Sequence, residues 1–115
     1  AEARSVLLWL HGGAFVLGSS ASWRPFAARV ARAARMRVLV PDYRLAPEHP
    51  FPAALEDAIS VVRHLHRRGL RVMIGGDSAG ANLAAATIQS SATAPIAAAW
   101  LISPYLDLTH TGASV

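Results

Sequence analysis

The sequence has 115 residues, 53% apolar and 16% charged, which bounds it at one globular domain with room for a real core. The absence of cysteine excludes a disulfide framework, thiol catalysis and Cys-based metal sites. All the basic residues are Arg, the net charge is +4, and the cations gather at Arg29, Arg32, Arg35, Arg37 and at Arg63, Arg67, Arg68, so a solvated helix face is expected there and not a nucleic-acid surface.

Ser5 to Leu10 is an unbroken apolar run ending at His11-Gly12-Gly13, the pattern of a strand buried on both faces. A helix is expected from about Ser22, capped by that serine with Pro25 in its first turn, and ending near Arg35; Phe26, Val30 and Ala33 or Ala34 would face the core, opposite Arg29, Arg32 and Arg35. Arg37 to Val40 reads as a second strand, stopped by Pro41. The four prolines between Pro41 and Pro52 make the next stretch an ordered loop. Ala53 to Arg68 is the clearest helix, with Glu56 and Asp57 in its first turns, Leu55, Ile59, Val62 and Leu65 or His66 on one side, and Arg67-Arg68-Gly69 closing it. Leu70 to Ile74 is a third strand, followed by a sharp turn and a helix to about Ser90. Ala97 to Ile102 is a fourth strand. The order β-α-β-α-β-α-β predicts a four-stranded parallel sheet with right-handed crossovers and helices on both faces.

In such a sheet ligand chemistry gathers at the carboxyl ends of the strands, where three unusual stretches fall: His11 to Phe15, Pro41 to Arg44, and Gly76 to Gly80. Gly76-Asp77-Ser78-Ala79-Gly80 matches G-x-S-x-G, in which a strained strand-to-helix turn lifts a serine hydroxyl clear of the sheet. Alone that motif is a weak signal; beside it, the amides of Gly12 and Gly13, unshielded by side chains, and the Ala79 amide at a helix start form a plausible donor set for an oxyanion.

The blocks H-G-G-A-F (11 to 15), D-Y-R-L-A-P-E-H-P-F-P-A-A (42 to 54), G-D-S-A-G-A-N-L-A (76 to 84) and S-P-Y-L-D-L (103 to 108) resemble, in order and spacing, the α/β-hydrolases similar to hormone-sensitive lipase. The resemblance implies a serine carboxylesterase or lipase acting on a small-molecule carboxylic ester without a cofactor or metal. It makes Ser78 the nucleophile, Gly12, Gly13 and Ala79 the oxyanion-hole amides, His11 a shaper of its loop and not the triad histidine, and Asp77 a brace for the turn between Gly76 and Gly80. Ala14 stands where the family commonly has a third glycine, and Ala81 where it often has one after Gly80; both are ordinary variation. Asp42, Tyr43, Arg44 and Glu48 are expected to knit the proline-rich loop, and His64 and His66, two apart on a helix, do not share a face for a metal.

A serine hydroxyl needs a general base and that base an orienting carboxylate. After Ser78 the sequence holds a single acid, Asp107, and a single histidine, His110. Asp107 matches the S-P-x-x-D block, and the family places its acid and histidine after two further strands. Residues 1–115 are therefore expected to be an incomplete α/β-hydrolase domain, without the strands and cap before H-G-G and without the triad Asp and His, and the isolated chain is expected to be almost inactive and poorly soluble. Two other readings stay open: a non-catalytic ligand-binding protein on the same fold, and a truncated remnant. No apolar run approaches the roughly 18 residues that span a membrane and no signal-peptide pattern is present, so a cytoplasmic location is expected.

Overall fold

Ser5–Leu10 forms β1, and five of its six residues are buried, as a strand covered on both faces requires. It pairs in parallel with β2 (Arg37–Leu39) on one side and with β3 (Arg71–Asp77) on the other, and β3 pairs in parallel with β4 (Ala98–Ile102), giving the order β2-β1-β3-β4. This computed structural model describes residues 4–12, 20–44, 48, 52–90 and 94–102. The connections are helices: α1 (Ser20–Ala34) between β1 and β2, α2 (Ala53–Arg67) between β2 and β3, and α3 (Ala79–Gln89) between β3 and β4.

Alternation along β1 separates two layers. Val6, Leu8 and Leu10 join Val72 and Ile74 of β3 in a core closed by Ala58, Val62 and Leu65 of α2 and by Leu83 and Ala84 of α3. Trp9 points to the opposite layer, where its ring meets Phe26 of α1 at 4.7 Å and Trp23 at 6.4 Å between centroids. In register with Trp9 come Gly75 on β3 and Trp100 on β4. A Cβ on Gly75 would lie 2.8 Å from the Trp9 ring, so the bare glycine lets the two indoles meet edge-on across the middle strand at 5.6 Å. Trp9, Leu8, Leu10 and Ile74 are all fully buried, each contributing roughly 2–3 kcal/mol by removal from water.

Element order and parallel sense follow the sequence expectation; several details do not. α1 begins at Ser20, not at a capping Ser22, which places Pro25 inside the helix and removes one amide from its ladder. Its covered stripe is Trp23, Phe26, Ala27, Val30 and Ala31, whereas Ala33 and Ala34 are exposed. The additions are Ala27, Ala31 and Trp23, the last packed against Trp9. Without a glycine to close α1, Arg35 adopts φ +53° and the Met36 amide donates to the Ala31 carbonyl at 3.2 Å, a closure that usually recruits glycine or asparagine. β2 stops at Leu39, and β3 runs on through both glycines to Asp77. On α2 the buried residues are Ala53, Ala58, Val62 and Leu65; His66 is exposed, and Leu55 and Ile59 are half-buried flanks. Among the described residues no helix is long and apolar enough to cross a membrane.

Candidate active site

The carboxyl ends of β1 and β3 lie side by side, and the helices that follow the two strands cover opposite faces of the sheet. That is the switch point at which a parallel sheet opens a crevice. Ser78 sits there, between the last residue of β3 and the first of α3, with φ +51° and ψ −117°. This region is sparsely populated for any residue with a Cβ and costs about 1–3 kcal/mol, so the surrounding contacts must hold it. Two backbone bonds do so: the Ser78 amide donates to the Ile102 carbonyl at the end of β4 (3.0 Å), and the Asn82 amide donates to the Ser78 carbonyl (3.1 Å), opening α3. The hydroxyl makes no capping bond, although serine is a favoured cap, and the residue is half-buried.

The flanking glycines are there for space. A Cβ on Gly80 would run into the Leu10 carbonyl oxygen, with the Leu10 carbon at 2.6 Å and the His11 oxygen at 2.8 Å; one on Gly76 would lie 2.5 Å from the Gly80 carbonyl. α3 thus starts in direct contact with the end of β1, which no larger residue permits. Ala79, fully buried, contributes one of the first-turn amides for which a helix provides no acceptor, at the positive end of its dipole.

On the β1 side, His11 is buried, its ring stacks on that of Tyr43 (4.6 Å, 18° between planes), and its Nδ1 lies 2.9 Å from the Gly12 carbonyl. A carbonyl only accepts, so Nδ1 carries a proton and is occupied. Tyr43 Oη donates to the His11 carbonyl at 2.6 Å. The Gly12 amide donates to Asp77 Oδ1 at 3.1 Å. The Gly12 N–H, expected among the oxyanion donors, is thus bonded to the carboxylate beside the serine. Gly13, the other donor expected from this loop, lies outside the described residues, as do Asp107 and His110.

Sequence reasoning also undervalued Tyr43. Placed in a loop-knitting group, it is buried beneath the His11 turn, and burial, reinforced by the charge of Asp77, pushes its phenol up to about 12. Arg44 ties the loop to α2: its backbone amide and Nε donate to Asp57 (2.8 and 3.0 Å), its guanidinium pairs with Asp57 at 2.9 Å and Glu56 at 3.4 Å, and Nη2 reaches the Ala53 carbonyl. His64 and His66 are exposed near the end of α2, where the chain enters β3; Ser78 follows the other end of that strand, roughly 20 Å away. Among the described residues no group of three or more His, Cys, Asp or Glu side chains is arranged to hold a metal.

Fold and site together define a parallel α/β protein with a strained serine turn at its switch point. A family model described as alpha/beta hydrolase fold matches residues 7–115. An acetyl-hydrolase of Streptomyces hygroscopicus is 48% identical over 114 residues, covering 94% of this chain and 38% of the relative. An esterase of Acinetobacter venetianus is 39% identical over 121 residues, covering all of this chain and 40% of the relative. Among solved structures, an esterase from the bacterial hormone-sensitive lipase family superposes with a TM-score of 0.91 at 42% identity, over 99% of this chain and 40% of that one. The chain belongs to the α/β-hydrolase fold family, in the branch that contains the hormone-sensitive-lipase-like esterases. It spans about two fifths of the length of these relatives.

Proposed function

We propose that these residues form the nucleophile-bearing part of a serine carboxylic-ester hydrolase, with Ser78 as nucleophile. The observation that carries this reading is the backbone of Ser78: a residue held at φ +51° and ψ −117°, with its hydroxyl withheld from capping, at the switch point of the sheet. Strain of this kind persists only where the surrounding structure over-determines it, and it clusters at active sites. The likeness to an acetyl-hydrolase and to esterases supports a small carboxylic ester as substrate.

In the reaction Ser78 Oγ attacks the ester carbonyl as its proton passes to a general base. The carbonyl oxygen, now an oxyanion, is held by the Ala79 amide and by amides of the loop after Gly12. The bond to the alcohol breaks, the base returns the proton to the alcohol, and water activated by the same base releases the acid from Ser78. None of the described histidines suits the role of base: His11 is buried with Nδ1 bonded, and His64 and His66 sit toward the far end of β3. The base and its carboxylate therefore come from outside the described residues.

The test is hydrolysis of a short-chain aryl ester by the whole protein and by the 115-residue chain, each with and without Ser78→Ala. Turnover in the whole protein that Ser78→Ala removes is the expected result. Saturable ester binding without turnover in the whole protein would favour the non-catalytic binder, and robust Ser78-dependent turnover by the short chain would place the base within residues 1–115.

A further inference from the structure

We propose that Tyr43 is a positioning residue of the ester-hydrolase site, acting with Asp77 to grip the single peptide unit between His11 and Gly12; the inference rests on the functional reading above. A trans peptide is planar, with its C=O and N–H pointing in opposite directions, so anchoring both ends fixes its plane. Here both ends are anchored. The His11 carbonyl accepts from Tyr43 Oη at 2.6 Å, and the Gly12 amide donates to Asp77 Oδ1 at 3.1 Å. The next carbonyl along, that of Gly12, accepts from His11 Nδ1, and the His11 ring is itself stacked on Tyr43.

The grip spans three strands. His11 and Gly12 leave β1, Tyr43 follows β2, and Asp77 ends β3 one residue before Ser78. The fit is close: a Cβ on Gly12 would lie 2.5 Å from Asp77 Oδ2 and 3.0 Å from the Asp77 carbonyl oxygen. The carboxylate next to the nucleophile therefore holds the start of the β1 loop, while Tyr43, buried and touching no reacting atom, holds the same peptide from the other side. Transition-state stabilisation by amides depends on sub-ångström placement relative to the attacked carbonyl. Removing the phenol hydroxyl leaves a buried carbonyl without its donor and frees the peptide to rotate, while the ring stack and its burial survive in phenylalanine.

The experiment uses the whole enzyme with a short-chain aryl ester, rates being normalised to active sites titrated with a serine-directed sulfonyl fluoride. Tyr43→Phe is expected to lower kcat per titrated site tenfold or more with KM within twofold of wild type. Asp77→Ala is expected to act in the same direction, Asp77→Asn, which keeps an acceptor for the Gly12 amide, to recover most of the loss, and the Tyr43→Phe/Asp77→Ala pair to lose less than the product of the single effects, since both act on one peptide. Hydrogen exchange at the Gly12 amide, read in parallel, should quicken at least tenfold in Tyr43→Phe. A kcat within twofold of wild type, a loss carried by KM, or unchanged exchange overturns the proposal. A wild type that does not hydrolyse esters would overturn the functional reading instead, and the exchange measurement alone would then decide whether the grip exists.

Discussion

Tyr43 gives the fold an alkaline limit whose size follows from its surroundings. Burial, with the nearby Asp77 charge, pushes its phenol up to about 12 from an ordinary 10. Between those values the folded protein keeps a proton that the unfolded chain has released, so the contribution to stability is complete below about pH 10 and is lost as pH rises toward 12. The gap corresponds to about 2.7 kcal/mol, a large share of the 5–15 kcal/mol by which a domain is typically stable. Residues 1–115 contain no lysine and no cysteine, and one other tyrosine, Tyr105, so within them phenols are the side chains that titrate in this window. Urea unfolding of the purified protein at intervals from pH 8 to 12 should show stability falling above pH 10 in wild type and falling by about 2–3 kcal/mol less in Tyr43→Phe. Phenolate absorbance should show one group titrating near 12 that the variant lacks. Equal slopes in the two proteins would refute the reasoning, because then the Tyr43 proton is held no more tightly in the folded state than in the unfolded one.

Gly80→Ala should destabilise, against the usual trend that alanine gains about 1 kcal/mol over glycine within a helix. The new methyl meets the Leu10 and His11 backbone, which cannot turn aside as a side chain would, so a net loss of about 2–3 kcal/mol is expected in thermal melts, and an unchanged or raised Tm would contradict it. Ser78→Gly should do the reverse, stabilising by about 1 kcal/mol through relief of the positive φ while abolishing esterase turnover; a destabilised glycine variant would mean that the serine is not strained.

The sheet and its order of elements were legible because the signals were long or doubly determined. β1 is six apolar-rich residues ended by two glycines, and α2 carries its own proline, acids and terminal Arg-Arg-Gly. The tight turn around Ser78 was legible as a pattern, for the same steric reason that Gly76 and Gly80 tolerate no Cβ. What escaped was set by contacts between distant segments. α1 starts early and draws in Trp23 because Trp9 on β1 offers an aromatic partner. Arg35 takes a left-handed turn because the chain must reach β2. The bonds of Gly12 and Tyr43 escaped for one shared cause: motif spacing says which amides and hydroxyls are near the crevice, but not which of them already hold one another. The Gly12 N–H was free in the sequence and is committed to Asp77 in the fold.

The glycine that lets Trp9 and Trp100 touch across β3 has an optical consequence. The sequence has three tryptophans, Trp9, Trp23 and Trp100, and the ring contacts place all of them in the α1 layer, with none in the layer formed by α2 and α3. Fluorescence from these three indoles therefore reports on one side of the sheet, while far-ultraviolet dichroism averages over every helix. Melting curves from the two probes measure whether both layers come apart together, and in the Gly80→Ala protein, where the disturbance begins on the tryptophan-free side, a separation of the curves would show how far damage at the serine turn travels through the sheet.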